Sequence, residues 1–137
     1  MTVADDPCAC GSGAAYAACC GRFHAGEPAP TALELMRSRY TAYATGNIEY
    51  LIETHDPSTR GSMDVAAASA WSRTTRWAGL EIVATSAGAA TDSTGVVEFI
   101  ARGATRGKPF VHRERSRFRR VAGRWYYLDG ATPRARS

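Results

Sequence analysis

An α+β fold is what this sequence predicts: helices first, then a run of antiparallel strands with the helices packed on one face of the sheet. Two changes of pattern carry that reading. Between residues 31 and 73 apolar residues recur at intervals of three and four, the period of a helix. From Trp77 onward they alternate, the period of a strand. Ahead of both lie four cysteines within 13 positions. The chain has 137 residues, 45% hydrophobic and 22% charged, enough for one ordinary domain and a small appendage. The appendage is read as residues 1–26, a cysteine knuckle, and the main domain as residues 27–137.

The cysteines run Cys8-Ala9-Cys10, eight further residues, then Cys19-Cys20. Gly11 and Gly13 let the backbone turn tightly behind Cys10. Ser12 is placed to cap a short alanine-rich helix that returns Cys19 and Cys20 to the same point. Four gathered sulfurs match the tetrahedral Cys₄ shell of structural zinc, with iron as a competitor. The alternative is disulfide pairing or a redox role. Pairs between near neighbours would close strained rings, and no Cys-x-x-Cys is present. His24, four residues on, is expected outside the metal's shell, which four thiolates already fill.

Thr31 with Glu34 has the spacing of a capping box and opens the first long helix. Leu33, Met36, Tyr40, Tyr43 and Ala44 are its expected buried stripe, and Gly46 its end. A second helix is expected over Ile48–Thr54, burying Ile48, Leu51 and Ile52 and stopping at His55-Asp56-Pro57. A third, Met63–Arg73, carries Val65, Ala66 and Trp71 inward. Leu80, Ile82 and Ala84 mark the first strand. The second strand leaves its phase open, either Val97, Phe99 and Ala101 inward or Val96, Glu98 and Ile100. Phe110–Arg120 and Arg124–Leu128 follow, joined by Ala122-Gly123, a tight hairpin signal. Thr132–Ser137 is expected to fray.

No apolar run approaches the roughly 20 residues that cross a bilayer. The start, with Asp5 and Asp6, lacks the basic-then-apolar order of a signal peptide, so a cytoplasmic protein with reduced thiols is expected. The net charge of +4 is unevenly spread: from Arg102 onward 11 basic residues face only Glu114 and Asp129. That balance suits an anionic partner or packing against the chain's own acidic half.

Cys8-Ala9-Cys10-Gly11-Ser12-Gly13, Tyr16 and Cys19-Cys20 resemble the SEC-C motif, the metal-binding tail of the bacterial translocation ATPase SecA. Further on, Leu35-Met36-Arg37-Ser38-Arg39-Tyr40, Glu114-Arg115-Ser116-Arg117-Phe118 and Trp125-Tyr126-Tyr127-Leu128-Asp129-Gly130 are similar, in that order, to the YchJ-like family of small bacterial proteins. Ala9 stands where that motif often has proline, and Cys20 where SecA tails often have histidine; neither removes a sulfur or nitrogen donor. The resemblance implies a domain similar to nuclear transport factor 2, a curved sheet wrapped around helices as a cone. It also implies contact with protein or ribosome through the knuckle, since the SecA tail contacts a chaperone and the ribosome.

Within such a cone, Phe110, His112, Glu114, Ser116 and Phe118 share the inner face of the third strand. Arg39, His112, Glu114 and Ser116 are therefore the candidate pocket residues, arranged either for proton transfer or as a buried structural pair. His55 is expected at a helix end or pocket rim. Arg113, Arg115, Arg117 and Arg119 on the opposite face form a stripe of roughly 20 Å, either plain solvated surface or a site for an anionic partner. Two functions remain open at this stage: a zinc-binding adaptor without enzymatic activity, and a small-ligand binder or enzyme using the cone near His112 and Glu114. The knuckle is expected to need its metal to fold, while the main domain stands on its own core.

Overall fold

The structure, a computed structural model, describes residues 6–132. The tail expected to fray lies, from residue 133 onward, outside the described residues. A 3₁₀ turn at Tyr16–Ala18 leads into α1, Cys20–His24. There follow α2 (Ala32–Thr45), α3 (Ile48–Glu53), a second 3₁₀ turn at Arg60–Ser62 and α4 (Val65–Thr74). The strands are β1 (Thr75–Ala87), β2 (Thr94–Thr105), β3 (Lys108–Val121) and β4 (Arg124–Ala131). They form one curved antiparallel sheet in sequence order, β1-β2-β3-β4. Among the described residues, no helix is long and apolar enough to cross a membrane.

Local chemistry sets the element ends. The Thr31 hydroxyl accepts the Glu34 amide at 3.1 Å and donates to the Glu34 carboxylate at 3.1 Å, starting α2. Gly46, in the left-handed region at φ 79°, closes it. The Asp64 carboxylate accepts the Ala67 amide at 2.9 Å and starts α4. Ala122 and Gly123 both have positive φ, 51° and 80°, the pair of angles a two-residue hairpin turn needs. Arg106 and Gly107, at 53° and 82°, make the same kind of turn between β2 and β3. The sequence reading had not singled that turn out, because arginine is uncommon in the left-handed region.

The buried face of α2 differs from the expected stripe. Ala32, Leu35, Met36, Ser38, Arg39, Tyr40, Thr41 and Ala42 are buried, whereas Leu33, Tyr43 and Ala44 are only half-buried. The reason is that α2 is packed on two flanks: it meets the sheet, α3 and α4, and on the other flank α1. Polar residues on its second flank are covered by the cysteine segment, a placement that apolar periodicity cannot report. Cys8, Cys10, Cys20 and Phe23 belong to the same buried cluster as Leu35, Met36, Tyr40 and Leu51. The knuckle and the main domain thus share one core.

On α3, Leu51 is buried as expected, joined by Tyr50, with Ile48 and Ile52 half-buried. On α4 the expectation for Val65 fails: it is 41% exposed, and Ala68 is the buried residue, because the face turned inward is that of Asp64, Ala67, Ala68 and Trp71. Ala66 is exposed and Trp71 half-buried. On β1, Leu80 and Ile82 are half-buried and Ala84 is exposed. On β2 the open choice is decided: Val97, Phe99 and Ala101 point inward.

Candidate functional site

Two sites emerge, a sulfur cluster against one flank of α2 and a cavity against the other. The four cysteine sulfurs lie within 4.8 Å of one another. Cys10 and Cys19 are 3.6 Å apart, and Cys19 and Cys20 4.0 Å. A tetrahedral shell with metal–sulfur distances of about 2.3 Å has edges of about 3.8 Å, whereas a disulfide brings sulfurs to about 2.0 Å. The donor set therefore fits a metal ion. Electrostatics agree. Hydrogen bonding from Cys20, then from Ser12, holds the Cys10 thiol down at about 4 despite burial. Cys20 is pushed up by donating to Cys10 and by burial, and Cys19 chiefly by burial. Thiolates packed this closely favour a bound cation.

The main domain reaches into this site. Thr41, fully buried on α2, donates to the Cys20 sulfur at 3.3 Å and lies 3.6 Å from the Cys8 sulfur. Arg37 donates to the Cys10 carbonyl at 3.0 Å. His24 stays outside the cluster, as expected, because both ring nitrogens are engaged. They meet the Tyr16 hydroxyl at 2.6 Å and the Ser38 carbonyl at 2.9 Å.

The cavity has a volume of about 480 Å³ and lies between α2, α4 and the inner face of the sheet. Arg39, His112, Glu114 and Ser116 all line it. So do His55, which was expected at a helix end or pocket rim, and Trp77 and Tyr127, which the sequence reading had not placed in the pocket. Its walls are mainly aromatic: Trp71 and Trp77 are 4.8 Å apart between ring centres, with Tyr43 against both.

Glu114 is the best-held group in it. His112 lies 3.0 Å from one carboxylate oxygen, and Ser116 and Tyr127 donate to the other at 2.6 and 3.1 Å. Burial pushes the carboxyl up, but those hydrogen bonds more than offset it, so it stays ionised below the usual range. Tyr127 faces Glu114 through the register of the β3–β4 hairpin, in which it pairs with Phe118, and a bulge follows it. Arg117 pairs with Asp129 but Phe118 with Tyr127, skipping Leu128, which keeps Trp125, Tyr127 and Gly130 on one face. Gly130 is required there: a Cβ would stand 2.1 Å from the Glu114 carboxylate and 2.8 Å from the Tyr127 hydroxyl. Glu114→Gln is expected to lower stability by about 1–3 kcal/mol, since an NH₂ would then face a donor. Gly130→Ala is expected to cost more, and urea melts compare the two. An unchanged midpoint for Glu114→Gln would mark the carboxylate as held for a ligand rather than for the fold.

Arg39 does not pair with Glu114. Its Nη1 donates to the Leu51 carbonyl at 2.9 Å and the Thr54 hydroxyl at 2.7 Å, and its guanidinium stacks 4.5 Å from the Tyr127 ring centre. Burial lowers its pKa. On the opposite face of β3, Arg113 pairs with Glu98 and Arg117 with Asp129. Arg119 grips Asp56 with two bonds of 2.8 Å. Arg115 is the exposed member of the stripe with no ion pair among the described residues.

Residues 31–130 match the model for the middle, NTF2-like domain of YchJ, and residues 6–22 match the SEC-C motif. The chain is 38% identical to a SEC-C motif containing protein from Rhodopseudomonas palustris known from a solution structure. That likeness covers 94% of this chain and 100% of that one, with a TM-score of 0.84. A SEC-C motif containing protein from Psychrobacter arcticus, known from a crystal structure, is 30% identical over 96% of this chain and 84% of its own, with a TM-score of 0.77. With its NTF2-like domain matched over 100 residues and its cysteines in a SEC-C motif, the chain belongs to the YchJ family.

Proposed function

We propose that this protein is a cytoplasmic small-ligand-binding module whose cone is braced at one end by a structural zinc ion. The cavity carries the reading. Its volume of about 480 Å³ falls within the roughly 300–1,000 Å³ of small-molecule sites. A cone serving only as scaffold is expected to be filled by side chains to ordinary interior density. Glu114, held by three donors, acts here as a fixed charge rather than as a base that takes up a proton.

Zinc is the metal a four-thiolate shell favours among the divalent ions at hand, ahead of iron. Four sulfurs leave no coordination position for substrate, so the ion's role is structural. Elemental analysis of protein purified under reducing conditions is expected to give about one zinc per chain. A metal-free protein with two disulfides would sink that assignment.

The binding test is titration with a neutral aromatic alcohol, followed by the NMR signals of Tyr43, Trp71 and Trp77. Saturable shifts at those residues, lost in the cavity-filling variant Ala68→Phe, are expected. Shifts that persist in that variant would place binding elsewhere.

A second reading keeps the knuckle as a contact for protein or ribosome. Gly11, Ser12, Gly13, Ala17 and Ala18 are exposed around the buried sulfurs and offer such a surface. Co-sedimentation with purified ribosomes, lost in a Cys19→Ser, Cys20→Ser variant, is its test. An anionic partner at the arginine stripe would compete with Glu98, Asp129 and Asp56, which already neutralise Arg113, Arg117 and Arg119.

A further inference from the structure

We infer that the cavity takes a small organic anion, a carboxylate on a flat apolar body, with the carboxylate seated beside Arg39. The inference rests on the ligand-binding reading above and specifies its ligand. Arg39 is only 7% exposed and lines the cavity, yet among the described residues no carboxylate lies within ion-pair distance of it. The two oxygens that its Nη1 meets, on Leu51 and Thr54, are both neutral. A buried cation ordinarily has an anionic partner, because desolvation without one is costly. Glu114 acts on Arg39 only from beyond ion-pair distance: Tyr127 stacks on Arg39 and binds Glu114 through its hydroxyl, and the carboxylate is already taken by three donors of its own.

A second group shares this unmet demand. Trp77 Nε1 is buried without a hydrogen-bond partner, its residue lines the same cavity, and an indole N–H can only donate. His55 Nδ1 is also unpartnered, but burial, with Arg39 and Arg60 nearby, keeps that ring neutral and its other nitrogen meets the Thr59 backbone, so Nδ1 is an acceptor. A carboxylate brings an acceptor for the indole together with the charge that Arg39 needs. The aromatic wall of Tyr43, Trp71 and Trp77 supplies a surface for a flat apolar body. An ammonium ligand would set a second cation beside Arg39 in poor solvent.

The test is calorimetric titration of the metal-loaded protein with phenylbutanoate, phenylbutanamide and phenylbutylamine, three ligands sharing one body. The carboxylate is expected to bind tightest and the amine weakest. Arg39→Met is expected to weaken the carboxylate by about 10- to 100-fold and to weaken the amide much less. If Arg39→Met does not fold, because Leu51 and Thr54 lose their donor, Trp77→Phe keeps an aromatic ring, removes the N–H and narrows the same gap. Equal affinity for amide and carboxylate, or the amine binding tightest, overturns the anion inference and leaves the cavity a binding site. No binding by any of the three overturns the inference as well. The neutral alcohol titration then shows whether the cavity reading falls with it.

Discussion

Stripping the metal is expected to lower the stability of the whole chain, not merely to loosen the residues around the cysteines. The sequence reading held the knuckle and the main domain apart, and the packing joins them. Cys8, Cys10 and Cys20 sit in one buried cluster with Leu35, Met36 and Tyr40. Thr41, in the middle of α2, has sulfur for its side-chain neighbours. Without the cation, thiolates brought this close repel one another, and protonated thiols bind Thr41 and each other weakly. Structural zinc contributes roughly 10–16 kcal/mol in isolated finger peptides. Even about a third of that would remove much of the roughly 5–15 kcal/mol that a domain this size possesses. Urea melts with and without a strong chelator under reducing conditions measure it. The expected result is a large fall in midpoint with signals from α2 and the sheet lost together. An unchanged midpoint in protein proven metal-free would show that the main domain needs no brace.

Arg119→Ala is expected to lower the urea midpoint clearly, because it leaves the Asp56 carboxylate buried without its cation. Asp56 is fully buried, and it positions the cavity's edge. Its amide donates to the Tyr127 carbonyl at 2.7 Å, and the Tyr127 amide donates to Thr54 at 2.8 Å, which ties His55 alongside β4. Arg119 first, and Ser58 in addition, hold the Asp56 carboxyl down at about 2, from an ordinary value of 3.8. A folded-state value below the unfolded one means stability that is fully present above about pH 4 and is lost as pH falls toward 2. Wild type is expected to show this acid limb in thermal melts across that window. Asp56→Asn is expected to flatten it while remaining less stable at neutral pH. An acid limb that survives unchanged in Asp56→Asn would assign it to another carboxylate.

What the amino-acid order determined alone is what depends on neighbours along the chain. Four sulfurs within 13 positions are held near one another by the short chain between them, so the sulfur cluster was legible from spacing and donor chemistry. Thr31 with Glu34, Gly46, and Ala122 with Gly123 act through bonds and dihedrals spanning a few residues, and the elements end where those residues said. Alternation along β3 put His112, Glu114 and Ser116 on one face for the same reason. Tertiary structure decided what depends on partners distant in sequence. Nothing near Ser38 or Thr41 announces that the cysteine segment covers them, and nothing near Asp56 points to Arg119, 63 positions away. The phase of β2 depended on its register with β3, in which Phe99 faces Glu114 and Ala101 faces His112. Glu114 took Tyr127 from β4 rather than Arg39 from α2, because the hairpin register sets the tyrosine opposite Phe118 on the inner face. Whether the cone is filled or hollow is a difference between large volumes of packed side chains. It is set by the curvature of the whole sheet, which no local pattern encodes.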